Sequence, residues 1–168
     1  MNIIVAVDKN GGFGKDGKIP WHFKSDFKHF KETTAGKICV MGKQTYLDMA
    51  GMMAAKGKEI GDEILPGRKT YVISSSMIEA KGATVIKDLS QVTSIHPSDE
   101  IFILGGERLF LQAISSASTI YMTVIDGDYG CDRFFPVEYL SGRFNIASGR
   151  KEEESGVQLM FVEYKRVA

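Results

Sequence analysis

Gly11-Gly12-Phe13-Gly14-Lys15-Asp16-Gly17-Lys18-Ile19-Pro20-Trp21-His22-Phe23-Lys24-Ser25-Asp26-Phe27-Lys28-His29-Phe30 is the stretch from which the rest of the chain can be read. A glycine-rich loop runs into a proline, then the only tryptophan, then a periodic segment. Phe23, Phe27 and Phe30 fall at i, i+4 and i+7 and so share one helical face. At about 100° per residue, Asp26 lies roughly 40–60° from Phe30 and Phe23 and leans toward that face. Lys24, Lys28 and Lys31 lie on the other side, and His29 is expected on the solvated side. A carboxylate at the rim of an aromatic face is costly to ionise, and desolvation raises its pKa, which suits a proton relay. The same residue in a first helical turn also suits a plain solvated cap, and the residues alone leave both readings open.

By letter, Gly12-Phe13-Gly14-Lys15-Asp16-Gly17 fits G-x-G-x-x-G. The dinucleotide fingerprint needs its third glycine inside a helix packed on the strand. Here Ile19-Pro20-Trp21 follows, and a proline there does not continue a helix. The loop reads instead as a mobile flap, with glycines supplying positive φ.

Outward from this stretch, strands alternate with helices. Asn2–Val7 is an apolar, β-branched run that reads as a strand buried on both faces. A helix over Lys24–Thr34 ends at Gly36. Lys37–Met41 is the next strand, and Gly42-Lys43-Gln44-Thr45 opens a short helix to about Met49. Ala50–Glu63 is poorly periodic and reads as an extended surface loop. Leu65-Pro66-Gly67-Arg68 is a turn before the strand Lys69–Ile73, which stops at Ser74-Ser75-Ser76. A strand at Ala83–Ile86, a helix near Leu89–Ile95 and a strand at Ile101–Leu104 come next. Gly105-Gly106 opens a helix carrying Leu109, Phe110 and Ala113, and Thr119–Asp126 is a further strand. The chain closes with a hairpin: Phe144–Gly149, a charged turn at Lys151–Ser155, then Val157–Lys165. This order predicts an α/β fold with a mostly parallel sheet and an antiparallel edge.

Composition bounds the function. The length suits one domain, and 43% apolar with 25% charged residues is ordinary for a globular chain. Lys+Arg and Asp+Glu are equal at 21 each, so no basic footprint points to nucleic acid or an anionic membrane. Cys39 and Cys131 do not make a disulfide framework, which suits a reducing cytoplasm, and no leader or spanning segment is expected. His22, His29 and His96 lack ligand spacing, so no metal is inferred, and no G-x-S-x-G elbow is present. Gly42-Lys43-Gln44-Thr45 and Gly105-Gly106 each sit where a buried strand passes into a helix, the place where α/β sheets bind ligands and backbone N–H groups take phosphate. Two such junctions suit a diphosphate, with hydroxyls of Ser74, Ser75 and Ser76 at a third strand end.

Taken together, these pieces resemble dihydrofolate reductases over nearly the whole chain, from Ile3 to about Lys165. The most specific are Gly14 to Trp21 followed by Asp26, Phe30 and Thr33; Val40-Met41-Gly42-Lys43-Gln44-Thr45-Tyr46; Leu65-Pro66-Gly67-Arg68-Lys69; Ile103-Leu104-Gly105-Gly106; and Tyr121-Met122-Thr123 with Asp132 and Phe135-Pro136. The resemblance implies a single-domain, three-layer α/β/α fold over residues 1–168 with an eight-stranded sheet. It implies a cytoplasmic monomer that reduces 7,8-dihydrofolate with NADPH, without nucleic-acid or membrane partners. Asp26 would hold the pterin's amino group and ring nitrogen and promote protonation at N5. Trp21 would hold a water beside it, and Thr123 would hydrogen-bond it. Ile4, Val5, Ala6, Phe27, Phe30 and Leu104 would wall the pocket, with Leu65 at its rim and Arg68 pairing with the glutamate tail. NADPH would lie over Gly42, Lys43, Gln44 and Thr45, over Ser74–Ser76, and over Gly105, Gly106, Glu107, Arg108, Leu109 and Phe110. Its nicotinamide would sit beside Ala6 under the flap residues Phe13, Gly14 and Ile19. Lys43 stands where the family often has Arg, and Phe110 where it often has Tyr. Met52–Lys58 reads as an insertion. A related reductase of riboflavin biosynthesis and a non-catalytic pterin binder are the rival readings, opposed by Trp21, Asp26, Thr123 and Arg68.

Overall fold

The computed structural model describes residues 1–168. Asn2–Val7 forms β1, Gly12–Gly14 β2, and Lys24–Thr34 helix α1. Ile38–Gly42 is β3, Lys43–Ala55 α2, Lys69–Ile73 β4 and Thr84–Ile86 β5. Ser90–Thr93 is the single turn α3, followed by β6 at Ile101–Gly105, α4 at Glu107–Ala113 and β7 at Thr119–Ile125. Arg133–Phe134 is β8, Phe144–Glu154 β9 and Val157–Arg166 β10.

Eight strands form one sheet in the order β5-β4-β3-β6-β1-β7-β10-β9. The pairs from β5 to β7 are parallel, and β10 and β9 run antiparallel at the far edge, as the alternation of elements predicted. Strand period explains why the inner strands read as continuous apolar runs. On β3, Ile38 and Val40 enter the largest core cluster with Ile3, Val5 and Val7, while Cys39 and Met41 enter a second cluster on the other face with Tyr46, Leu65 and Val72. A third cluster joins Trp21 and Phe23 to Ile125, Leu159 and Phe161.

From β1 the chain passes through α1 to β3, leaving a slot that β6 fills later. The C-terminal ends of β1, β3 and β6 therefore converge, and each leads into a loop or helix N-terminus. This is the place where open α/β sheets bind ligands.

Three expectations about elements are corrected. Helix α2 does not stop at Met49 but runs to Ala55, so Ala50–Glu63 is not wholly a loop. Its Met49, Ala50 and Met53 pack on the second core cluster, and Ala and Met are good helix formers. Gly51 is tolerated because its face is open, with nothing within 4 Å of where a Cβ would be. The helix ends in a Schellman motif: the Lys58 N–H donates to Met53 O (2.9 Å), the Gly57 N–H donates to Ala54 O (3.0 Å), and Gly57 has φ +70. The final hairpin turns at Ser155-Gly156, not Lys151–Ser155. Both turn residues have positive φ (53° and 78°), as a tight two-residue hairpin needs, so β9 continues through the charged run to Glu154. The flap is not a bare loop: β2 pairs with β8, and Lys15-Asp16-Gly17-Lys18 closes a tight turn with φ +50 and +75 at its centre.

Candidate active site

Asp26 sits in the first turn of α1, half-buried. Burial raises its pKa, the facing Thr123 hydroxyl lowers it by hydrogen bonding, and the negative charge of Glu154 raises it further, so the net shift is upward. No Lys, Arg or His lies within ion-pair distance of it. Thr123 is buried in β7 and pairs in register with Ala6 of β1. Trp21 is buried beside this sheet face and meets Tyr129 edge-on at 5.1 Å. Asp26, Thr123, Ala6 and Trp21 are thus brought together where α1 crosses the sheet.

The three phenylalanines of α1 do not share one environment. Phe23 is buried with Trp21, Phe30 packs half-buried on the second cluster, and Phe27 is 38% exposed beneath the Lys56 ammonium, 5.8 Å from its ring. His29 is not on the solvated side: its ring stacks on Phe161 at 4.6 Å, and burial first, then Arg150, lowers its pKa.

At the other end of α1, Arg68 is buried at 6% exposure. Its Nε donates to Pro66 O (3.2 Å), its Nη1 donates to Thr34 Oγ1 (3.1 Å), and its guanidinium lies 5.7 Å from the Phe30 ring. No carboxylate pairs with it. A buried cation without a counter-ion is costly, and its natural partner is an anionic ligand. From Asp26 to Thr34 is eight residues, or about 12 Å along the helix. Asp26 and Arg68, neither with an ion-pair partner, therefore stand near opposite ends of α1, with Phe30 between them in the helix and packed half-buried on the cluster that holds buried Leu65 and half-buried Leu104.

The second part of the site lies at the helix starts. A Cβ placed on Gly105 or Gly106 would come within 3.5 Å of Thr45 Oγ1, and one on Gly42 within 3.6 Å of the Gly106 nitrogen. The starts of α2 and α4 thus form one small cradle open to an anion. Gly105 has φ +119, which requires glycine. Lys43 Nζ donates to Ser76 Oγ at 3.0 Å, placing a cation among hydroxyls. Ser75 and Ser76 are exposed, but Ser74 is buried and its Oγ accepts from the Ser76 and Met77 N–H groups, so it holds the turn together. Gln44, Glu107 and Arg108 are exposed around the cradle.

Two expected contact residues face elsewhere. Val5 points with Ile3 and Val7 into the large core, so strand alternation turns its side chain away from the face that carries Ala6; Ile4 keeps the Ala6 parity. Leu109 is likewise a core residue. Phe110 is buried, and its ring meets Phe13 of the flap at 5.3 Å and Phe135 at 5.1 Å, supporting the flap from beneath.

The flap is held at its base and tip. Asp8 is buried, and its carboxylate accepts from the N–H groups of Asn10, Gly12 and Tyr129 at 2.9, 3.0 and 3.1 Å. Burial alone would push its pKa up, but these hydrogen bonds hold it below the usual value. At the tip the Asp16 N–H donates to Asp132 Oδ2 at 3.0 Å. Arg133 stacks on Phe13, reaches Asp48 Oδ2 at 3.5 Å, and crowds Gly14, where a Cβ would lie 2.6 Å from its guanidinium. Asp48 in turn accepts from Gln44 Nε2 at 2.8 Å. Sequence reasoning missed Asp48 and Arg133, which are 85 residues apart and carry no local motif. A shallow recess of about 550 Å³ follows the flap from Lys15 through exposed Ile19 to His22, so it opens beside Asp26 and not on it. No helix is long and apolar enough to cross a membrane.

Comparison with known proteins gives a consistent result. The dihydrofolate reductase family model matches residues 1–166. A dihydrofolate reductase of Bacillus subtilis is 32% identical over 170 aligned residues, covering 99% of this chain and 94% of its own length. The type 3 dihydrofolate reductase of Salmonella typhimurium is 35% identical over 142 residues, covering 84% and 80%. The solved structure of dihydrofolate reductase from Enterococcus faecalis, complexed with NADP(H) and RAB-propyl, superposes with a TM-score of 0.82 at 26% identity, covering 99% of this chain and 96% of that one.

Proposed function

This chain belongs to the dihydrofolate reductase family, and from that premise we propose that Asp26, Arg68 and the cradle at the two helix starts are the working parts of its reaction. The enzyme reduces 7,8-dihydrofolate to tetrahydrofolate with NADPH. The observation that carries the assignment of roles is that Asp26, in the first turn of α1, and Arg68, bonded to Thr34 at its last, both lack an ion-pair partner. Dihydrofolate has an aminopyrimidine edge that can donate to Asp26 and a glutamate carboxylate that can pair with Arg68, with its rings between them against Phe27 and Phe30.

The residues at the strand ends fit the cofactor. Gly42, Gly105 and Gly106 keep the backbone at the two helix starts free of side chains beside the Thr45 hydroxyl, and Lys43 with Ser75 and Ser76 suits a phosphate monoester. NADPH, when bound, supplies the hydride received at C6 of the pterin. The protein orients and excludes water. Arg68 fixes the tail, Phe30 and Leu104 the rings, and Trp21 with the flap covers the reacting edge. Asp26 anchors the pterin while ionised, and its raised pKa keeps the protonated form accessible for delivery toward N5. Thr123 limits that rise and orients the carboxylate.

We place the enzyme in the cytoplasm as a monomer. Its two free cysteines support a reducing compartment, and its exposed large apolar residues, such as Ile78, Ile95 and Ile146, are spread over separate segments. Loss of NADPH absorbance on adding dihydrofolate tests the function. Consumption without dihydrofolate, or none with it, overturns it.

A further inference from the structure

We propose that Glu154, at the end of β9, is a positioning residue for Asp26, capping α1 from a distant hairpin and setting a second negative charge behind the site. The proposal rests on the role given to Asp26 above. Helix α1 begins without a cap of its own, because Phe23 at the N-cap position has no side-chain oxygen. The two leading N–H groups find their acceptor 130 and 129 residues away: Lys24 N donates to Glu154 Oε2 and Ser25 N to Glu154 Oε1, each at 2.8 Å. One carboxylate thus takes both N–H groups, one per oxygen. Asp26 is the next residue, so the turn that carries it is held through its backbone by Glu154, while its side chain faces the Thr123 hydroxyl of β7.

Of the neighbouring charges, Lys24 and Lys31 on α1 and Lys151 and Glu153 on β9 form no ion pair, and none of them is among the charges acting on Asp26. On α1, Lys28 pairs with Glu32, and on β9, Arg150 pairs with Glu152 at 2.6 Å. His29 of α1 rests on Phe161 of β10, with burial and Arg150 favouring its neutral form. Lys24 acts on Glu154, whose pKa is lowered chiefly by the Ser25 backbone hydrogen bond. From β7 the polar group facing Asp26 is the uncharged Thr123 hydroxyl, and the adjoining β1 residue is Ala6. Glu154 is therefore the charge that acts on Asp26, in the direction that favours its protonated form.

Glu154→Gln keeps an acceptor for the helix but removes the charge, and Glu154→Ala removes both. Two readouts separate position from mere stability. The first is titration of the Asp26 carboxyl by carbon NMR in the cofactor-free protein, which does not depend on the catalytic reading. The second is the pH profile of single-turnover hydride transfer. The Gln variant should fold, titrate Asp26 at lower pH than wild type, and shift its rate profile the same way, so that transfer at neutral pH falls several-fold while KM for dihydrofolate holds. The Ala variant should add a lower Tm, and Glu154→Asp should move the titration back toward wild type. An Asp26 titration in the Gln variant that overlays wild type overturns the proposal, whatever happens to Tm. A shifted titration with an unshifted rate profile upholds the placement of Glu154 and instead refutes the catalytic role of Asp26.

Discussion

Replacing Arg68 with leucine should separate substrate binding from folding. In the folded chain the guanidinium is buried, makes two hydrogen bonds to Pro66 O and Thr34 Oγ1, and has no acidic partner. Each bond contributes about 1 kcal/mol net. Against that loss stands the removal of a desolvated cation without a counter-ion, and an apolar replacement at such a site is often neutral. Thr34 Oγ1 keeps its own bond to Phe30 O at 2.8 Å. The balance falls within about 1 kcal/mol of zero, which for a chain of this size moves Tm by only about 2–4 °C. Binding behaves differently. Truncating one member of a buried charge pair costs about 2–5 kcal/mol, or roughly 30-fold to several thousand-fold in KM for dihydrofolate. A reduced pterin without the glutamate tail should lose almost nothing. Steady-state kinetics with both substrates, alongside thermal melts, make the comparison. Equal losses for both substrates, or a collapsed fold, would refute the reasoning.

Lys43→Ala should erode the preference for NADPH over NADH by about 10–100-fold, since a charge-assisted hydrogen bond is worth about 1.5–3 kcal/mol. Comparison of kcat/KM for the two cofactors measures this, and a wild type that uses both equally would defeat it. Gly57→Ala should lower Tm by about 2–4 °C. The added Cβ meets nothing within 4 Å, so the cost is only the left-handed conformation, about 1 kcal/mol. A melt equal to wild type would show that the Schellman end of α2 is not held in solution.

The parts of the fold legible in sequence were those with strong local periodicity. Asn2–Val7, Lys69–Ile73 and the α1 segment all appear with the expected bounds. The second half of helix α2 is hidden in the sequence because Gly51 and a run of Met and Ala blur its face. The β2–β8 ribbon is three residues against two and exists only through pairing across the chain. The end of strand β9 is hidden because residues of both its faces are exposed from Asn145 to Glu153, so no apolar alternation marks Arg150–Glu154; pairing with β10 defines it. At the site, helical spacing singles out Asp26, whereas Arg68 reads locally only as part of a turn and is named by the family resemblance. That both lack a counter-ion, and that Glu154 reaches α1, are facts of tertiary contact that no local pattern encodes. The Val5 side chain lies on the core face opposite Ala6, since neighbours on a strand face opposite sides.

Asp26→Asn puts the central claim to its most direct measurement. The folded-state pKa of Asp26 is raised, so its ionised form destabilises the fold above the unfolded value near 3.8, and that penalty is relieved as pH falls. The amide should therefore raise Tm at neutral pH while leaving NADPH binding intact. Single-turnover NADPH oxidation against pH, in wild type and variant, then reads the chemistry. The account predicts that hydride transfer in the variant falls by about 10²–10⁴-fold near neutrality and partly returns at low pH, where solvent protonates the substrate. A variant with near-normal rates and an unchanged pH profile would contradict it.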